Sequence, residues 1–232
     1  MNNFTIIIPI FNESESIFRL LDEISYEFQK KLPEILIVDD GSNDDFQQKS
    51  ANLKKRKFKI FTHTKNLGKS KAMETGIKNA GNDLICVMDG DGQNPPYEVK
   101  KLINHWKKTP KNNFTLICGN RTSRKDTFIK RLSSKLANKI RRLILDDDCN
   151  DTACALKVFS KSDYLKIPYL KNMHRFLPAL FKMRNGAIYN IAIDDRERFA
   201  GISKFNFNNR FWVGILDLIK VWILIKKKRS YL

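Results

Sequence analysis

Leu84-Ile85-Cys86-Val87-Met88-Asp89-Gly90-Asp91-Gly92-Gln93-Asn94-Pro95-Pro96 passes from apolar to acidic to helix-starting in a single short stretch. Leu84 to Met88, an unbroken apolar run closed by turn formers, reads as a strand buried on both faces. Pro95-Pro96 suits the first turn of a helix, where a missing N–H costs nothing. A strand that ends in a polar loop and feeds a helix is one step of an alternating β/α chain. In the loop itself, two carboxylates one residue apart, with a carboxamide two further on, make a hard-oxygen set suited to Mg2+ or Mn2+ carrying a diphosphate. Asp, Gly, Asn and Pro also build ordinary turns, so the neighbouring segments decide the reading.

The same unit recurs on both sides. Phe4 to Pro9 is an Ile-rich buried strand, followed by Asn12-Glu13-Ser14-Glu15 and then Ile17, Leu20, Leu21, Ile24 and Phe28 at helical spacing, which predicts an N-capped amphipathic helix. Glu34 to Val38 is a second strand ending in Asp39-Asp40-Gly41-Ser42, and Phe58 to Thr62 is a third. A helix carrying Ala72, Met73, Ile77 and Ala80 precedes the acidic strand; another, with Val99, Leu102, Ile103 and Trp106 inward, follows it and leads to a strand at Phe114 to Cys118. The alternation predicts an α/β fold with an open, mostly parallel, doubly wound sheet. Ligands in such sheets bind off the carboxyl ends of the strands, where Phe11 to Glu13, Asp39 to Ser42 and Asp89 to Gln93 all fall. Beyond Arg121 the spacing of Phe128, Leu132, Leu136 and Ile140 predicts a basic helix, and Asp151 to Arg198 predicts short strands and a helix near Phe176 to Met183.

Composition narrows the partners. The net charge is +18 over 232 residues, and nine basic residues between Arg121 and Arg142 face a single acid, Asp126. Such clusters suit phosphorylated substrates, anionic lipid head groups or nucleic acid. Nucleic acid is disfavoured because Phe58, Phe61, Phe128 and Phe159 sit at core positions and are not interleaved with exposed basic residues. Cysteines 86, 118, 149 and 154 form no Cys-X-X-Cys pair and histidines 63, 105 and 174 no zinc spacing, so free, buried thiols in a reducing compartment are expected. No basic-then-apolar leader opens the chain, which is expected to stay in the cytoplasm. Phe211 to Ile225 is almost wholly apolar but shorter than the roughly twenty residues that span a bilayer. With the basic run Lys226 to Arg229, it is expected to lie in the membrane interface; the competing expectation is a helix docked on the protein's own core.

Leu67-Gly68-Lys69-Ser70 is not a phosphate-binding P-loop, because His63 stands where that motif needs its first glycine. Lys69 and Lys71 are then solvated or face a phosphate. Taken in order, Ile8-Pro9-Ile10-Phe11-Asn12-Glu13, Val38-Asp39-Asp40-Gly41-Ser42, Asn66-Leu67-Gly68, the Met88 to Pro96 stretch and Gly119-Asn120-Arg121 resemble the family 2 inverting glycosyltransferases of GT-A fold. Gln93-Asn94-Pro95-Pro96, Asp151-Thr152-Ala153-Cys154-Ala155-Leu156-Lys157 and Arg196-X-Arg198-X-X-Gly201-X-Ser203-Lys204 resemble, more narrowly, the branch with dolichol-phosphate mannosyltransferase and bacterial polyprenyl-phosphate sugar transferases.

The resemblance implies that Pro9, Phe11 and Glu13 line a nucleotide pocket, that Asp40, with Asp39 behind it, meets the base, and that Asp89, Asp91 and Gln93 hold the divalent ion and donor diphosphate. It implies that Arg121, Lys130, Arg131 and Arg198 bind donor and acceptor phosphates, with Ser203 and Lys204 positioning that loop and Arg198 preferred to Arg196. Residues 1–205 would then form the catalytic domain, 1–120 for the nucleotide sugar and 121–205 for the acceptor, with 206–232 as an amphipathic helix and basic tail. The expected activity is transfer of a hexose, first mannose from GDP-mannose, to a dolichyl or undecaprenyl phosphate on the inner membrane face. The alternatives are a UDP-sugar donor acting on a lipid phosphate or glycan hydroxyl, and a non-catalytic basic membrane- or nucleic-acid-binding module.

Overall fold

The structure, a computed structural model, describes residues 3–51, 53, 58–110, 114–122, 140–199 and 207–229, the last with side chains from 214 to 227. Lys130, Arg131, Ser203 and Lys204, and the expected helix through Phe128, Leu132 and Leu136, lie outside the described residues.

Seven strands form one sheet in the order β3-β2-β1-β4-β6-β5-β7. They are β1 (Thr5–Ile10), β2 (Glu34–Asp39), β3 (Lys59–Thr62), β4 (Leu84–Val87), β5 (Leu116–Arg121), β6 (Lys157–Ser160) and β7 (Ile188–Ile193). β1 to β4 pair in parallel, as does β5 with β7, whereas β6 runs antiparallel between β4 and β5. The helices are α1 (Ser14–Glu27), α2 (Phe46–Ser50), α3 (Lys69–Asn79), α4 (Pro96–Lys108), a short α5 at 140–145, α6 (Lys161–Leu165), α7 (Leu177–Lys182) and α8 (Phe207–Arg229). The acidic strand is central, as its unbroken apolar character requires.

Each face of the sheet carries its own core. Ile17, Leu20, Leu21 and Ile24 of α1 and Val99, Leu102 and Ile103 of α4 are buried on one side; Met73 and Ile77 of α3, Leu177, Leu180 and Phe181 of α7, and Val221 and Ile225 of α8 are buried on the other. Burying one such side chain contributes about 1.5–3 kcal/mol, so these stripes fix which face each helix presents. The four cysteines are free and buried. One expectation is corrected at α1. Its N-terminal residues provide no side-chain cap; the Ser14 amide donates instead to Asp44 Oδ2 at 2.9 Å. The capping carboxylate comes from the loop after β2, supplying by tertiary contact what the local sequence does not.

The crevice between β1 and β4 follows from a proline. β1 pairs with β2 along its whole length but with β4 only from Thr5 to Ile7. The Ile7 carbonyl accepts Met88 N–H on the β4 side, and the Ile10 carbonyl accepts Asp40 N–H on the β2 side. Alternation along the strand therefore turns Pro9 toward β4 with no N–H to donate, and the ladder ends there. Gly90 lies against β1 so closely that a Cβ on it would come within 2.6 Å of the Ile10 side chain. The strand order reverses at this point, and the acidic loop sits at the mouth of the opening.

Candidate active site

Three strand ends build the site. Behind β1, Asn12 takes φ 52° and binds across to the β2 loop: its N–H donates to Ser42 Oγ and its Oδ1 accepts Asn43 N–H, both at 2.8 Å. Phe11 and Glu13 flank it, half-buried, and Pro9 is buried beneath. Behind β4, Ser16 Oγ donates to the Gly90 carbonyl at 2.9 Å, joining α1 to the acidic loop.

Asp39 and Asp40, both buried, have different tasks. Both oxygens of Asp40 are engaged internally: Oδ1 meets His63 Nδ1 at 2.7 Å and Leu67 N–H at 3.0 Å, and Oδ2 accepts Gly68 N–H at 2.7 Å. His63 continues to Thr75 Oγ1 at 2.9 Å. Asp40 thus anchors the loop that leads into α3. Asp39 Oδ1 accepts Ser42 N–H at 2.9 Å, while its Oδ2 is buried without a hydrogen-bond partner among the described residues. A buried carboxylate oxygen left open is costly unless a ligand completes it.

The acidic loop holds a strongly perturbed carboxyl. Burial pushes the Asp91 carboxyl up to about 6, and Asp89 beside it, with Glu13 further off, adds to the rise against the opposing Gln93 N–H and Arg198. Asp91 Oδ1 accepts Gln93 N–H at 3.0 Å, and Oδ2 lies 3.2 Å from the Arg198 guanidinium. Asp89 pairs with the Lys69 ammonium at the start of α3. Ser70, next along, meets His174 Nδ1 at 2.8 Å. Two adjacent carboxylates, one driven toward its neutral form, suit a divalent ion that brings further oxygen ligands on a substrate. Among the described residues no three His, Cys, Asp or Glu side chains cluster as a metal cage. Gln93 is half-buried, its main chain committed to Asp91 and to Arg196 N–H.

A segment after β7, residues 194–199, clasps this loop; the sequence singled out Arg196 and Arg198 within it but not this contact. Arg196 N–H donates to the Gln93 carbonyl at 3.0 Å, Phe199 N–H to the Asp91 carbonyl at 3.1 Å, and Arg196 Nε to the Gly92 carbonyl at 2.6 Å. Gly92 takes φ 78°, and a Cβ there would strike the Phe199 ring at 2.3 Å. That ring lies between two guanidinium groups, Arg19 at 4.0 Å and Arg196 at 4.2 Å. Arg196 also binds Glu23, so it is the clasp while Arg198 faces the carboxylate.

Arg121 lies elsewhere. Its Nε and Nη2 hold Asp151 at 2.7 and 3.1 Å, and Asp195 is 4.0 Å away. This bidentate pair fastens the end of β5 to the 146–154 loop and to the clasp. Arg141 in turn is buried on Asp147, Thr152 and the Cys149 carbonyl, so much of the described basic charge here is structural. The sign available in the sequence was Asp151, quoted as a motif residue without a partner.

The chain matches Glycosyl transferase family 2 over residues 5–167, more than half its length. It belongs to that family. Among curated proteins it is similar to the dodecaprenyl-phosphate galacturonate synthase of Rhizobium johnstonii, at 30% identity over 97% of this chain and 68% of the relative. It is also similar to the undecaprenyl-phosphate 4-deoxy-4-formamido-L-arabinose transferase of Proteus mirabilis, at 26% identity over 89% of this chain and 64% of the relative. The chain thus spans about two thirds of the length of these relatives. Among solved structures, glucosyl-3-phosphoglycerate synthase from Mycobacterium tuberculosis, in complex with Mn2+, UDP and phosphoglyceric acid, has the same fold: TM-score 0.73 at 14% identity, covering 97% of this chain and 78% of that one. The mostly parallel α/β sheet expected from strand alternation, and the GT-A fold implied by the family resemblance, are the architecture found.

Proposed function

We propose that this family 2 glycosyltransferase moves a sugar from a nucleotide-sugar donor to a polyprenyl phosphate. The observation that carries the reading is the Asp89–Asp91 pair, each carboxylate matched to a cation, at the mouth of the β1–β4 crevice. The polyprenyl-phosphate acceptor is supported by the printed activities of the curated relatives above. Those relatives transfer galacturonate or a formamido-arabinose, so the mannose first expected from the motifs has no support from them. A UDP-sugar is the donor class we favour.

In this reading Asp39 Oδ2 reads a base N–H and Phe11 and Pro9 wall the nucleotide, while Asp40 holds the α3 loop in place. Asp89 and Asp91, with Gln93, would hold Mg2+ or Mn2+, which when bound offsets charge on the leaving diphosphate. Arg198 is placed to follow that charge, and Arg121 acts at one remove through Asp195 and the clasp. Of the residues outside the described part, Lys130 and Arg131 are proposed as acceptor-phosphate ligands and Ser203 and Lys204 as supports of the Arg198 loop.

The acceptor phosphate is already an anion near neutral pH, so no strong general base is needed. Its oxygen bonds to the anomeric carbon as the bond to the nucleoside diphosphate breaks and the electron pair departs with that group. In-line displacement inverts the anomeric centre. Positioning and charge stabilisation then supply the rate enhancement.

α8 supports a membrane-surface site for the acceptor. Asp217, Val221 and Ile225 share its buried face, and Asp217 accepts a hydrogen bond from Asn172 Nδ2 at 2.8 Å. Leu216, Ile219, Trp222 and Ile223 are exposed, with Lys226 and Lys227 beyond them. One face docks on the domain, and we propose that the other meets lipid on the inner face of the membrane. No helix among the described residues is long and apolar enough to cross a membrane.

A thermal-shift panel of UDP- and GDP-sugars with Mn2+ tests the donor. A ligand at a hundred times its Kd stabilises by about 2.7 kcal/mol. The expected result is a shift with one or more UDP-sugars; a shift confined to GDP-mannose would restore the mannosyl reading, and none with any nucleotide sugar would sink the transferase.

A further inference from the structure

Lys69 begins α3 with its ammonium on Asp89, and Arg198 sits on Asp91. Across these four groups the charge sums to zero. A divalent ion entering alone must displace both protein cations and leaves two uncompensated positive charges in a half-buried crevice, which is costly at low effective dielectric. A nucleotide-sugar diphosphate carries one negative charge on each phosphate. Arriving with the ion, it restores neutrality if Lys69 and Arg198 turn from the carboxylates to the phosphate oxygens. Glu13, further out, contributes the same charge before and after the exchange.

We propose that Lys69 is a donor-diphosphate ligand that occupies Asp89 in the donor-free protein and exchanges that carboxylate for a phosphate oxygen when ion and donor enter together. The inference deepens the nucleotide-sugar reading and rests on it.

The local structure suits such an exchange. The backbone around Lys69 is held tightly: Leu67 and Gly68 N–H are bound by Asp40, and Ser70 Oγ is held by His174 Nδ1 and by His174 N–H at 3.1 Å. Its side chain is not enclosed, with 31% exposure against 33% for Asp89, so the flexible stem can swing without unfolding. A Cβ on Gly68 would meet nothing within 4 Å, so the approach beside the loop is open. No side chain bonds the first-turn amides of α3; its N-cap amide, Gly68 N–H, is held by Asp40. Lys71 is not the equivalent group, because it is engaged with Glu74 at 2.7 Å and with the Tyr169 ring. The simpler alternative, a partly exposed ion pair worth under about 1 kcal/mol, predicts no link to donor binding.

Two binding measurements on wild type, Lys69→Met and Lys69→Arg separate these cases: Mn2+ alone, followed by the electron paramagnetic resonance of the free ion, and UDP or GDP at saturating Mn2+, followed by calorimetry. Removing the cation should tighten Mn2+ alone severalfold, because Asp89 no longer has to be vacated, and weaken nucleoside diphosphate on the order of tenfold. Lys69→Arg, which keeps the charge, should retain diphosphate affinity within a few-fold. Opposite signs in one variant are the signature of the exchange. Tighter Mn2+ with unchanged diphosphate binding would reduce Lys69 to a counter-ion, and no change in either would reduce it to a surface pair. Weakening of both would make its role structural. A wild-type protein that binds neither UDP nor GDP with Mn2+ would instead overturn the transferase reading beneath the proposal.

Discussion

Asp91 is the residue at which function costs stability. Its carboxyl is buried and pushed up to about 6 from 3.8, so folding disfavours the charged form by an amount on the order of 2–3 kcal/mol. The sign is that of a raised acid: Asp91's contribution is most favourable below its unfolded value and is lost as pH rises through about 6. Asp91→Asn should therefore melt above wild type at pH 7.5 without metal, with the difference fading below pH 4. The same substitution should lower kcat/KM with saturating Mn2+ on the order of a hundredfold. Undiminished transfer would refute the metal-seat assignment, whereas unchanged melting would refute the electrostatic one. Gly92 is constrained by geometry: Gly92→Ala adds a side chain at φ 78° into the Phe199 ring. A loss of about 1–3 kcal/mol in urea unfolding is expected, with proteolytic cutting appearing near residues 194–199.

At the scale of elements, Glu34 ties the amino ends of the strands together. It opens β2 and accepts Thr5 Oγ1 from β1 at 2.5 Å, Lys59 Nζ from β3 at 2.5 Å and Gly81 N–H from the turn before β4 at 2.7 Å. Burial alone would raise its pKa, but Lys59, Thr5 and Gly81 together bring it below 4.5. A lowered acid stabilises above its unfolded value and loses that contribution as pH falls. Wild type should accordingly exceed Glu34→Gln by about 1–2 kcal/mol at pH 7, with the gap closing as acid unfolding proceeds below pH 4.5. Equal stability at pH 7 would mean that the exposed Lys59 arm, already discounted for solvent screening, and the Thr5 and Gly81 arms contribute nothing net. α8 shows how an element divides its surface. Asp217, Val221 and Ile225 recur every four residues, so a single stripe of the helix docks.

For the whole molecule, the outer face of α8 and the net charge of +18 point the same way. Apolar burial in the headgroup region and attraction to anionic lipid reinforce each other, and only the second is screened by salt. Vesicles rich in phosphatidylglycerol should bind the protein more tightly than phosphatidylcholine ones, with the advantage shrinking between 50 mM and 500 mM salt. Changing Leu216, Ile219, Trp222 and Ile223 to Ser should weaken vesicle binding at least tenfold with little change in Tm, because those side chains are exposed. A lower Tm with unaltered binding would mean that protein, not lipid, covers this face.

Much of this was legible from sequence because it depends on local pattern. The apolar runs at Ile6–Ile8, Ile35–Val38 and Ile85–Val87 named buried strands, the spacing in α1, α3 and α4 named their inward faces, and Asp89-Gly90-Asp91 marked the carboxyl end of the acidic strand. Contacts distant along the chain were not legible. Nothing near Ser14 announces Asp44 as its cap, nothing near Arg121 announces Asp151 and Asp195, and Phe199 is unremarkable until it fills the space above Gly92. The sequence by itself determined the α/β alternation and the position of the acidic loop, because strand and helix periodicity and turn chemistry are properties of neighbouring residues, and its ordered motifs carried the resemblance to the family. Only the tertiary structure decided that Asp40 is spent on the α3 loop while Asp39 keeps an open oxygen, and that Lys69 and Arg198 neutralise the acidic pair. Hydrogen bonds and ion pairs depend on distances of about 3 Å, and folding alone sets those between residues far apart in the chain.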